Sequence, residues 1–67
     1  MENVLKVKNG NVWLCNTDGQ CLRTYYSKGN AERAYFYNEQ TESVQVHLSD
    51  GEILIINKFG VILKSIE

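Results

Sequence analysis

The sequence contains no proline, one histidine, one tryptophan and two cysteines among its 67 residues. Without proline, chain reversals fall to glycine and its polar neighbours. One histidine and two cysteines supply too few ligands for an ordinary zinc site. No two glycines lie close enough for a G-x-G or Walker pattern, so a phosphate-cradling loop is excluded. No apolar run approaches the roughly 20 residues of a membrane helix. The first residues alternate polar and apolar, unlike the h-region of a signal peptide. The expected location is cytoplasmic, without a membrane partner. An excess of basic charge is also missing. The net charge is −1, whereas proteins that live on phosphate backbones usually carry a basic surplus.

What charge there is lies unevenly. Residues 1–33 carry five basic and three acidic side chains, and residues 34–67 carry two and five. The halves therefore differ in sign, which suits the basic half of one subunit meeting the acidic half of the next. Hydrophobic residues make up 43% and charged residues 22% of the chain, as in a globular domain. The length allows one domain, 1–67, near the lower limit for a chain that folds alone.

Gly10, Gly19, Gly29, Gly51 and Gly60 divide runs rich in Val, Ile, Leu, Tyr and Thr, which suit strands. The reading is all-β, with strands near 3–8, 11–16, 20–26, 33–38, 43–48, 52–57 and 61–66. Lys8-Asn9-Gly10, Thr17-Asp18-Gly19 and Ser49-Asp50-Gly51 read as three-residue type I turns with a glycine bulge. Lys58-Phe59-Gly60 has the same length and a weaker signature. Residues 30–34 have a competing reading as one helical turn capped by Asn30.

Residues 10–24, GNVWLCNTDGQCLRT, align without a gap on residues 51–65, GEILIINKFGVILKS. Gly10/Gly51, Asn16/Asn57, Gly19/Gly60 and Leu22/Leu63 are identical, and seven further pairs keep their chemical type. Extended outward, the copies span 4–26 and 45–67, joined by a linker at 27–44. A three-residue turn at 17–19 pairs Cys15 with Cys21, Leu14 with Leu22 and Trp13 with Arg23. Side chains alternate between faces, so Val12, Leu14 and Leu22 share one face and Trp13, Cys15 and Cys21 the other. In the second copy Ile53, Ile55, Val61 and Leu63 oppose Leu54, Ile56 and Ile62.

Both faces of both hairpins are thus apolar, and a half-exposed sheet should instead alternate. Either the sheet curls into a small closed barrel, or subunits stack on one another. A period near 40 residues, three or four antiparallel strands per unit and two apolar faces resemble the blades of a β-propeller, which stack around an axis. That resemblance implies two blade-like units per chain, completed by homo-oligomerisation, with a trimer giving six blades. The first copy has three strands before the linker and the second has four, a difference that strand exchange between neighbours would make up.

The expected function is a non-catalytic, self-assembling binding or structural module. Trp13, Val46, Leu48, Leu54 and Ile56 are the expected oligomer interface. No catalytic residues, metal ligands or cofactor are assigned. Cys15 and Cys21 read as a reduced apolar pair, with a disulfide as the alternative, because Ile56 and Ile62 occupy the same positions in the second copy. His47, followed by Ser49 and Asp50, lacks groups converging from separate elements as a triad requires. The alternative function is a small regulator that binds single-stranded nucleic acid through Tyr25, Tyr26, Lys28, Arg33, Tyr35 and Tyr37. Aromatics interleaved with basic residues stack bases. A protein or sugar ligand would use the same surface.

Overall fold

The computed structural model describes residues 3–67. Its elements are seven strands: β1 (Asn3–Lys8), β2 (Asn11–Asn16), β3 (Cys21–Tyr26), β4 (Ala31–Asn38), β5 (Ser43–Leu48), β6 (Ile53–Ile56) and β7 (Ile62–Ile66). They form two antiparallel meanders, a three-stranded sheet β1-β2-β3 and a four-stranded sheet β4-β5-β6-β7. The described residues contain no helix long and apolar enough to cross a membrane. The two sheets stay open, so the closed-barrel alternative is set aside.

Strand β4 begins at Ala31, earlier than the sequence suggests. The Ala31 N–H donates to Gly10 O at 3.0 Å and the Ser49 N–H to Asn30 O at 2.9 Å. The Asn30 carbonyl, which would accept the first bond of a helical turn at 30–34, is thus committed to Ser49. Gly10 itself sits against this crossing. With φ of +76°, it would carry a Cβ only 2.0 Å from Gly29 O. Only glycine allows the β1–β2 turn to touch the 29–30 backbone this closely.

The β1–β2 turn differs from the expectation. Lys8 pairs directly with Asn11, and Asn9 and Gly10 both have positive φ, 55° and 76°. This is a two-residue type I′ turn, whose twist suits a tight hairpin and whose preferred sequence is Asn-Gly.

Register divides each sheet into two faces. In the larger sheet, Phe36–Val44–Ile56–Ile62 and Ala34–Val46–Leu54–Ser65 form rows across all four strands on the core side. In the smaller sheet the core rows are Leu5–Leu14–Arg23 and Val7–Val12–Tyr26. The core between the sheets contains Val12, Leu14, Tyr25, Tyr26, Ala31, Val44, Val46, Leu48, Leu54 and Ile56.

The pairing of β2 with β3 corrects the sequence reading. Cys15 does face Cys21, but Leu14 faces Arg23 and Trp13 faces Thr24, because a bulge intervenes between Leu14 and Cys15. The extra residue is Leu22, which is half exposed instead of buried against Leu14. A second irregularity between Val12 and Trp13 accompanies burial of the adjacent residues Tyr25 and Tyr26 in one core. Strict alternation would have sent them to opposite faces.

The smaller sheet is pinned to the larger at several points. The Tyr25 hydroxyl donates to Glu42 O at 2.6 Å. Arg23 Nη1 donates to Lys58 O at 3.3 Å, and Arg23 Nη2 lies 3.8 Å from the Glu42 carboxylate. That ion pair is partly exposed and contributes little by itself.

Candidate functional site

Three strands cannot face four, and the mismatch falls on β7. Strand β4, at the opposite edge of its sheet, packs against β1 and β2, while every residue of β7 is exposed. Phe59 is 79% exposed, Val61 55% and Leu63 57%, and Ile62 and Ile66 are nearly half exposed. These residues share one edge strand and the turn that leads into it. An edge strand also presents unpaired backbone donors and acceptors along its free side. Scattered surface apolar residues need no explanation, whereas several exposed on one open edge strand make that edge a candidate contact.

The expected oligomer interface lies elsewhere. Val46, Leu48, Leu54 and Ile56 are buried within the chain, in the core between the sheets. The smaller sheet already covers their apolar surface, so they offer nothing to a neighbour. Trp13 is half-buried on the outer face of the smaller sheet, in a row with Lys6 and Thr24. Of the five residues, Trp13 alone faces outward.

The aromatic and basic set also divides. Tyr25 and Tyr26 belong to the core. The Tyr26 hydroxyl hydrogen-bonds Asn30 Oδ1. Burial pushes both phenols above their ordinary value, and in Tyr26 the Asn30 bond opposes the shift. Lys28 lies in the exposed segment before β4. Arg33, Tyr35 and Tyr37 are on β4, and register places Arg33 and Tyr35 on the outer face of the larger sheet. That face has two rows, Tyr35–Gln45–Ile55–Lys64 and Arg33–His47–Ile53–Ile66.

Side-chain pairs organise the outer face. The Tyr35 and His47 rings meet edge to face with centroids 5.5 Å apart. Gln45 Nε2 is 2.9 Å from His47 Nε2. Lys64 Nζ lies 5.6 Å from the Tyr37 ring centroid, within cation–π range. Ile55 is buried between its register neighbours Gln45 and Lys64, outside the main core. Long side chains therefore supply much of the cover this face needs, while Tyr35 and Tyr37 remain half exposed. The sequence singled out both tyrosines but missed Gln45 and Lys64. Their approach to the rings depends on strand register, which the sequence pattern left open on this side.

His47 meets an aromatic ring and an amide on this face, and its strand neighbours there are Arg33 and Ile53. A shallow depression of about 310 Å³ beside the β5–β6 turn is lined by Asp50, Gly51, Glu52 and Glu67. Among the described residues, no group of three or more His, Cys, Asp or Glu side chains is placed to hold a metal ion. No protein-family model matches the chain, and no curated protein and no solved structure shows significant similarity to it.

Proposed function

We propose that the protein is a self-assembling β module without catalytic activity, and that β7 and the turn before it form the principal contact between copies. The observation that carries this reading is the overhang of β7, where Phe59, Val61, Ile62, Leu63 and Ile66 lie exposed on one open edge. The occupant is a second copy of the chain. In a head-to-tail contact, the exposed apolar edge of β7 in one copy meets the smaller sheet of the next. Trp13, half-buried on the outer face of that sheet, is the natural aromatic anchor. A head-to-tail contact gives a ring when the rotation between copies closes and an open filament when it does not. Three chains would give six sheets arranged like blades.

Mass in solution, by native mass spectrometry or light scattering across a dilution series, tests this directly. A defined oligomer that dissociates on Leu63→Glu supports the reading. A monomer at every concentration overturns it.

The outer face of the larger sheet carries a second reading, a small regulator that stacks single-stranded nucleic acid on Tyr35 and Tyr37. The half-exposed rings and the adjacent Arg33 and Lys64 favour it. Binding of a single-stranded oligonucleotide that weakens with salt would support it, and no binding at low salt would end it.

A further inference from the structure

The register that buries the core also sets two thiols side by side. Cys15 and Cys21 are direct partners across β2 and β3, and their sulfurs lie 3.1 Å apart. They adjoin the Asn16–Gln20 pair that closes the turn, where the Asn16 N–H donates to Gln20 O at 2.9 Å. Facing residues in an antiparallel ladder have Cα atoms about 4.5–5.5 Å apart, within the roughly 4.4–6.8 Å range that a disulfide spans. The sulfurs need to close only to about 2.0 Å, a side-chain adjustment that leaves the strands in place. The two thiols also differ in access. Cys21 is exposed and Cys15 is fully buried. In the second hairpin, Ile56 and Ile62 hold the same register positions, so that site serves packing alone.

We propose that Cys15 and Cys21 form a reversible dithiol–disulfide couple that exchanges with low-molecular-weight disulfides such as glutathione disulfide. The Cys21 thiolate attacks one sulfur of the small disulfide. The S–S bond breaks, one small thiolate leaves, and a mixed disulfide forms on Cys21. Cys15 then loses its proton to solvent and attacks the Cys21 sulfur. The second small thiolate departs and the Cys15–Cys21 bond forms. Two protein thiols are oxidised, and one small disulfide is reduced to two thiols. The order of attack follows from access, and the Cys21 thiol together with burial raises the Cys15 thiol above its ordinary value, which favours Cys15 as the resolving group. The couple depends on the β2–β3 register and on access to Cys21 in the single chain.

The test is to incubate the full-length protein with glutathione disulfide, alkylate the remaining thiols and record the intact mass. The expected product has lost two hydrogens, carries no glutathione and accepts no alkyl group, and reduced glutathione reverses it. Cys15→Ser should stop at one glutathione on Cys21. Cys21→Ser should react roughly tenfold or more slowly than the wild type, since its thiol is shielded. A wild-type product that retains glutathione, or that forms only disulfide-linked dimers, overturns the proposal without recourse to either variant.

Discussion

Asn16 and Asn57 hold their turns in the same way. Asn16 Oδ1 accepts the backbone N–H groups of Asp18 and Gln20 at 3.0 and 2.9 Å, and Asn57 Oδ1 accepts those of Phe59 and Val61 at 2.9 and 3.0 Å. In both turns the asparagine N–H donates to the carbonyl four residues on, and its own carbonyl accepts from the glycine three residues on. The asparagine side chain thus satisfies donors that the turn would otherwise leave to water. Residues 41 apart carry out the same local chemistry, an observation in keeping with the alignment of the two hairpins.

Asn16→Ala and Asn57→Ala are each expected to lower stability by about 1 kcal/mol, because exposed side-chain hydrogen bonds are lost to water, three at Asn16 and two at Asn57. Asparagine to aspartate should cost less, since a carboxylate accepts the same two N–H groups. Urea denaturation of the four variants checks this. Alanine variants indistinguishable from the wild type would mean that the glycine geometry alone fixes these turns.

Gly10 and Gly51 both have positive φ, yet they should respond differently to alanine. At Gly51 an added Cβ meets nothing within 4 Å, so Gly51→Ala pays only the left-handed penalty of roughly 1–2 kcal/mol. At Gly10 the Cβ would overlap the Gly29 carbonyl group. Backbone on both sides of that contact has nowhere cheap to go, and Gly10→Ala is expected to cost at least about 3 kcal/mol. Thermal or urea unfolding separates the cases, and equal losses would show that the crossing at Gly29 yields easily.

Much of the fold could be read from the sequence because glycine and strand-forming residues alternate so regularly. Strands β1, β2 and β5 have the bounds expected, and the Cys15–Cys21 pairing follows from turn length alone. What the pattern could not supply was the assignment of faces. When both sides of a hairpin are apolar, alternation does not say which one meets the other sheet. On sequence alone, Val46, Leu48, Leu54 and Ile56 therefore fall to an interface between subunits, whereas packing against the smaller sheet places them in the core. Bulges were the second obstacle. One inserted residue moves Leu22 out of its expected pair and Arg23 into it, and nothing in the local composition announces that shift. The candidate surfaces were legible in part. Arg33, Tyr35 and Tyr37 were visible as a cluster, and so was the count of three strands against four, whereas which strand is left uncovered depends on how the sheets pack.

Leu54 and Leu63 separate core from surface. Leu54→Asp puts an unpaired carboxylate into the core between the sheets and should unfold the protein. Leu63→Asp changes a side chain that is 57% exposed, so each folded chain should keep its structure while association between copies weakens. Circular dichroism and light scattering on both variants read the two effects. A Leu63→Asp protein that assembles as tightly as the wild type would exclude β7 as the contact.

Tyr25 and Tyr26 make stability depend on pH at the alkaline end. Burial is the main cause that raises both phenols in the folded state, so the unfolded chain releases these protons at a lower pH than the folded one. The unfolded state then binds fewer protons than the native state, and stability falls as pH increases. The contribution is fully present below the ordinary phenol value of about 10 and is lost as pH rises through the higher folded values. Unfolding followed by circular dichroism should therefore set in above about pH 10, together with the appearance of tyrosinate absorbance. Tyr25→Phe removes one of the two groups and the hydrogen bond to Glu42 O. It should lower stability at neutral pH by about 1 kcal/mol while making the alkaline loss shallower. An unchanged alkaline slope in that variant would mean that Tyr25 ionises without opening the core.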